Sequence, residues 1–157
     1  MTAAPTAGPG LEHVLRLSVQ VAAAIEVGAT RQGVRRVVPI TGGQVTGPLL
    51  TGRVLPGGAD YQLIRSATET QVEARYLIES DQGELVYVDN RGLRTASAAD
   101  IARLRQDLYV DPARVYFRTS PRFETASPRL DALNTGVFVG VGERLPGAVT
   151  FDVFRVC

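Results

Sequence analysis

Proton-transfer chemistry needs a carboxyl that changes its protonation state, a cation or hydroxyl that steadies developing negative charge, and shelter from bulk water. The chain carries such groups inside segments that otherwise alternate like strands. Asp60 and Arg65 lie within Ala59 to Ser66, Glu73 and Arg75 stand beside Tyr76 within Gln71 to Glu79, and Asn90 closes Glu84 to Asn90 with Arg91 following. A charged side chain aimed into a closed sheet is costly unless paired, so such residues form internal ion pairs or line a wet cavity. The simpler alternative is that strand alternation sends them to the solvent face, where Arg and Glu are ordinary. The densest mixture of aromatic and charged groups is Tyr116 to Thr125, YFRTSPRFET. There Phe117 and Phe123 suit an apolar wall, while Arg118 and Glu124 suit a ligand's carboxylate, enolate or hydroxyl, or else pair with each other to anchor a loop.

Other chemistries lack their residues. The sequence has no Walker loop, no GxSxG, no HExxH and no paired CxxC. Its single histidine, His13, stands at the ragged start of the first alternating segment, a poor centre for a relay or a metal site. Asp60, Glu73 and Glu124 would offer only hard oxygen ligands with no histidine nearby, so neither a metal nor a cofactor is expected. The one cysteine, Cys157, precludes an intrachain disulfide, and a cytoplasmic location is the expectation. Seventeen basic against sixteen acidic residues leave a net charge of +1, too weak a field to steer toward nucleic acid. All the basic residues are Arg, which reads as the imprint of a GC-rich genome.

The elements that must position these groups are strands. Leu15, Leu17, Val19 and Val21 alternate with Arg16, Ser18 and Gln20, the period of a half-buried strand. Eight more segments follow: Val34 to Ile40, Gly47 to Leu55, Ala59 to Ser66, Gln71 to Glu79, Glu84 to Asn90, Val115 to Thr119, Gly136 to Gly142 and Ala148 to Val156. Pro56-Gly57-Gly58, Asp81-Gln82-Gly83 and Pro146-Gly147 supply tight reversals, and spacings this short permit hairpins but not βαβ crossovers. The expected fold is all-β and mainly antiparallel. About nine strands exceed a comfortable open sheet, so closure into a barrel is favoured over a two-layer sandwich. Ser97-Ala98-Ala99-Asp100 reads as a helix cap followed by Ile101, Leu104 and Leu108 at helical spacing, a short helix suited to plugging one barrel end; Pro128 to Asn134 is a second, weaker helical stretch.

The organisation expected is a disordered lead-in over residues 1–10 and one domain over 11–157, long enough to hold a core without staples. The lead-in, MTAAPTAGPG, lacks the charge order of a secretory signal. Val19 to Ile25, the longest apolar run, is broken by Gln20 and falls short of the ~20 residues that cross a bilayer, so no membrane partner is expected.

Five blocks, PITGG at 39–43, VLPGGAD at 54–60, EARY at 73–76, VDNRG at 88–92 and YFRTSPRFET at 116–125, resemble in type and order the characteristic blocks of the DUF3237 family, also called UPF0311. Leu133-Asn134 and Val137 to Gly140 extend the resemblance. Two departures are mild: Tyr61 stands where the family commonly has Trp, and Glu73 where it often has Asp. The resemblance implies a barrel-like β fold, a homo-oligomer and a cavity bordered by motif residues, and implies no established mechanism. Matching positions make Asp60, Glu73, Arg75, Tyr116 and Arg118 the expected catalytic set. Tyr61, Tyr76, Asn90, Phe117, Phe123 and Glu124 are the expected substrate-binding set.

The function expected is a cofactor-independent enzyme acting on a small, partly apolar carbonyl compound by acid/base proton transfer, of the isomerase, cyclase or hydratase/lyase type. Asp60 or Glu73 would be the base, and Tyr116, Arg75 or Arg118 the acid or oxyanion partner. The alternatives are a non-catalytic barrel that binds a small hydrophobic ligand, with Arg75 or Arg118 on its acidic head, and a structural or assembly protein whose charged strand positions form subunit contacts.

Overall fold

The structure is a computed structural model that describes residues 3–4 and 6–157. Met1, Thr2 and Pro5, part of the expected lead-in, lie outside the described residues, and the rest of that stretch is exposed and carries no strand or helix. Ten strands form one antiparallel sheet: β1 (Leu11–Val21), β2 (Ile25–Thr30), β3 (Gly33–Thr46), β4 (Gly52–Val54), β5 (Ala59–Ile64), β6 (Glu69–Ser80), β7 (Leu85–Thr95), β8 (Tyr116–Thr125), β9 (Phe138–Leu145) and β10 (Ala148–Val156). Two short helices, α1 (Ala98–Arg105) and α2 (Ala132–Thr135), flank β8.

The sheet closes because β1 pairs with β10 on one side and with β3 on the other. β4 and β5 both run between β3 and β6, so they share one position, interrupted at Leu55–Gly58. Eight strand positions thus make the barrel, and β2 hangs outside it on β3 alone. Closure demands a close crossing at Gly43: a Cβ there would lie 2.1 Å from the Ser18 carbonyl oxygen, and φ is +146°, a backbone state that side chains resist.

Several strands run longer than the sequence expectation, and three differ from it in kind. β2 was not among the nine segments, because its register shifts between Glu26 and Gly28 and every residue but one is exposed, which erases the alternation. Of Gly47 to Leu55, only Gly52–Val54 is a strand; β3 takes residues up to Thr46 and the chain then bends. β8 continues along β7 through Pro121 to Thr125, while its pairing with β9 covers Arg118 and Thr119.

Alternation inside the barrel produces a gradient. Along β7 the inward residues read Val86, Val88, Asn90, Gly92 and Arg94, so one end is apolar and the other polar. The apolar end is packed by Phe123 against Phe138 edge-to-face, with Leu130 of the helical turn Pro128–Leu130 and Leu133 of α2 buried in the same cluster. At the polar end stands α1, capped by Ser97 on the Asp100 N–H and carrying its own small cluster of Ile101, Leu104 and Val110. Its last turn reaches the barrel rim, where the Arg36 Nη1 donates to the Arg105 carbonyl at 3.2 Å.

Candidate functional site

The polar end of the barrel encloses a cavity walled by Val19, Val38, Ile40, Val72, Val149 and Phe151. Into it project Asp60 from β5, Tyr76 from β6, Asn90 and Arg94 from β7, Phe117 from β8 and Arg144 from β9. The cavity volume is about 30 Å³. That is room for one or two waters without movement of the walls.

Asp60 reaches the cavity because it shares parity with Gln62 and Ile64 on β5, opposite the small Ala74 of β6. Its Oδ2 accepts from the Gln62 Nε2 at 2.8 Å and its Oδ1 from the Glu73 backbone N–H at 2.9 Å. The residue retains some exposure, yet the carboxyl is crowded by protein, and burial pushes its pKa up. The Gln62 and Glu73 bonds, then the positive fields of Arg94 and Arg144, oppose that rise.

Arg94 is the unusual group. It is 3% exposed, and among the described residues its guanidinium makes no hydrogen bond and no ion pair with the protein; its nearest stabilising contact is the Phe117 ring, 5.4 Å from the guanidinium carbon. Burial holds it at about 10, below its usual range, partly offset by Asp60. Two neighbours share its condition: the Tyr76 hydroxyl and the Asn90 Oδ1 are buried, line the same cavity and have no partner among the described residues. Burial also raises the Tyr76 pKa. Buried polar atoms are nearly always hydrogen-bonded, so three such groups facing one cavity mark a place where ligand or solvent atoms belong.

The other two arginines of this end are matched by acids at the rim. Arg36 lies 3.6 Å from Glu26, and Arg144 lies 2.8 Å from Asp107. Asp107 has φ +58° and also accepts the Gly147 N–H at 3.0 Å, so the turn after α1 is tied to the β9–β10 turn. Arg144 lines the cavity while its partner Asp107 is exposed, which places the mouth beside this pair.

Of the residues expected from sequence, the structure brings Asp60, Tyr76, Asn90 and Phe117 to the cavity, and the rest elsewhere. Glu73 and Arg75 have the opposite parity to Val72, Ala74 and Tyr76 and face outward. There Arg75 contacts Glu73 at 2.5 Å and Asp89 at 3.8 Å, and Arg91 contacts Glu73 at 3.3 Å and Asp89 at 3.1 Å. This cross-strand quartet holds the Asp89 pKa down through Arg91. Tyr61 faces outward at 43% exposure. Tyr116 is also exposed and stacks under the Arg118 guanidinium at 5.3 Å, so neither enters the cavity. Arg118 donates to the Phe117 carbonyl rather than to Glu124, which is exposed; the two do not pair. Phe123 is buried in the apolar core away from the cavity.

Sequence reading passed over Arg94, Gln62 and Arg144. The signal existed: continuing the inward parity of Val86, Val88 and Asn90 reaches Arg94, and continuing that of Phe138, Gly140 and Gly142 reaches Arg144. Both were lost because the expected strands stopped at Asn90 and Gly142, short of the observed Thr95 and Leu145. Among the described residues no group of three or more His, Cys, Asp and Glu side chains could hold a metal, and no helix is long and apolar enough to cross a membrane.

Comparison with known proteins agrees with this architecture. A family model described as "Protein of unknown function (DUF3237)" matches residues 9–156. A UPF0311 protein of Rhodopseudomonas palustris is 40% identical over 150 residues, covering 94% of this chain and 98% of that protein. Among solved structures, a conserved protein of unknown function from the same organism superposes with a TM-score of 0.91 at 37% identity, covering 99% of this chain and all of the other. A β-barrel-like protein from Acinetobacter baumannii superposes at 0.84 with 39% identity, covering 98% and 99%. A structure described as an enzyme from Penicillium herquei superposes at 0.73 over both full chains, but at 18% identity that likeness concerns the fold alone.

Proposed function

The chain belongs to the DUF3237 family, and from that premise we propose that its barrel is a cofactor-independent enzyme that moves a proton on a small, partly apolar carbonyl compound. The reaction is an isomerisation, a cyclisation, or an addition or elimination of water. One observation carries the reading: a carboxyl pushed toward its neutral form, Asp60, shares an apolar-walled cavity with a buried guanidinium, Arg94, whose Nε has no hydrogen-bond partner among the described residues. Asp60 removes a proton from the carbon beside the carbonyl, the oxygen takes up the charge as an enolate facing Arg94, and Asp60 returns the proton at the same or a conjugated carbon. Tyr76 and Asn90 orient the compound, and Phe117 and Phe151 wall it from water. The description of a protein of this fold as an enzyme supports the reading. With it go the further proposals of a cytoplasmic protein, a small-molecule substrate and a homo-oligomer.

The test is solvent-proton exchange. A panel of small ketones and enones is incubated in D2O with the protein, and deuterium incorporation is read by NMR. Wild type incorporates deuterium into at least one compound above the buffer rate, and Asp60→Asn slows that by about 100-fold or more, the scale of general acid–base catalysis. Exchange that is equal in the two proteins removes Asp60 as the base. A compound that binds with no exchange in wild type replaces the enzyme with a binding barrel.

A further inference from the structure

We infer that the Arg94 end of the cavity is a binding site for one ionised oxygen, so that the substrate is an acid with an apolar body: a carboxylate or a phenolate. This rests on the proposed function and names the substrate class for that same site. The basis is a charge inventory of the barrel's polar end. Arg36 has Glu26 beside it and gives a hydrogen bond to the Arg105 carbonyl. Arg144 has Asp107, and it donates to the carbonyls of Leu145 and Ala148. Arg94 has neither a carboxylate nor a carbonyl among the described residues. The nearest acid facing it, Asp60, is tied by both oxygens to Gln62 and to the Glu73 N–H, and makes no direct ion pair with Arg94.

Of these three arginines, Arg94 is therefore the one with no oxygen in contact among the described residues, Asp60 acting on it only at a distance, and it stands within a wall of Val38, Ile40, Val149 and Phe151. A guanidinium carries five donors in a planar fork, and the partner that satisfies both its charge and its geometry is an oxygen anion. A neutral carbonyl would satisfy the geometry but leave the charge unanswered. A dianion would overshoot it, because the rim acids already balance Arg36 and Arg144. The apolar walls, which must part to admit more than one or two waters, take the remainder of the molecule, and the Asn90 Oδ1 and the Tyr76 hydroxyl take a hydroxyl or a second oxygen on it.

Binding to matched probes tests the assignment. Isobutyrate against isobutyramide and benzoate against benzamide differ in charge and scarcely in shape; 4-nitrophenol, measured below and above its own ionisation, is the phenolate probe. Affinities are read by ligand-observed NMR on wild type, Arg94→Gln and Arg94→Met, with far-UV circular dichroism as the check on folding. In wild type the charged member binds about 10- to 100-fold more tightly, the range of a charge-assisted hydrogen bond, and both variants lose that preference. Preference confined to the acids identifies a carboxylate, and preference confined to ionised nitrophenol a phenolate. Equal binding of charged and neutral members, preference that survives in both variants, or no binding of any anion at millimolar concentration overturns the inference. Wild type separates the two proposals: charge preference without proton exchange leaves the anion site standing and removes the enzyme, and exchange without charge preference does the reverse.

Discussion

Replacing Arg94 by Met is expected to make the protein more stable while emptying the site of its function. Burial holds the Arg94 guanidinium at about 10, two to three pH units below its ordinary value, and each pH unit corresponds to about 1.4 kcal/mol. Keeping the cation charged inside the barrel therefore costs about 3 kcal/mol, and the residue is too buried for solvent to screen it. Against that, Met forfeits the stacking on Phe117, worth about 1 kcal/mol, and withdraws the positive field that steadies Asp60. The net gain is about 1 to 2 kcal/mol, or a rise in melting temperature of roughly 3 to 6 °C for a chain of this size. Urea unfolding followed by far-UV circular dichroism measures it directly, since the chain has no tryptophan to report. The gap between variant and wild type should be flat from about pH 6 to 9, where the guanidinium stays charged, and should narrow as pH rises past about 10. A variant destabilised by more than 1 kcal/mol would refute the reasoning, because it would make Arg94 a structural partner whose contacts hold the barrel together.

Two further outcomes follow from the same cavity. Asp60→Asn should change the pH profile of stability: the folded-state pKa of Asp60 lies above its ordinary 3.8, so wild type gains stability as pH falls through the folded value, a slope the variant lacks, and thermal melts from about pH 4 to 8 detect it. Tyr76→Phe removes a buried hydroxyl without a protein partner, so stability should hold or rise by about 1 kcal/mol in urea while probe binding weakens; a loss of more than 2 kcal/mol would show that the hydroxyl is structurally engaged.

Strand-forming residues and turn chemistry are local properties, and they were legible. The alternation at Leu15 to Val21, the reversals at Pro56-Gly57-Gly58 and Pro146-Gly147, and the cap at Ser97 all took the form their residue types favour. The family blocks were legible too, because they are strings. Closure of the sheet through β1 and β3 was decided by contacts between residues far apart in the chain, at Ser18 and Gly43 among others, which no local pattern encodes.

The site divides along the same line. Asp60 and Asn90 could be named from sequence as polar residues in apolar strands, but so could Glu73 and Arg75, one register step away and on the opposite face. Period-two alternation says that neighbours face opposite ways; only the packed barrel says which of the two faces is inside. Arg94 stands out solely by what surrounds it, a guanidinium enclosed with no carboxylate in contact, and that is a property of eight strand positions brought around one axis. Residue types determined which groups were available for chemistry. The curvature of the closed sheet decided which of them share a low-dielectric space, where a missing partner becomes expensive and a ligand's charge is felt.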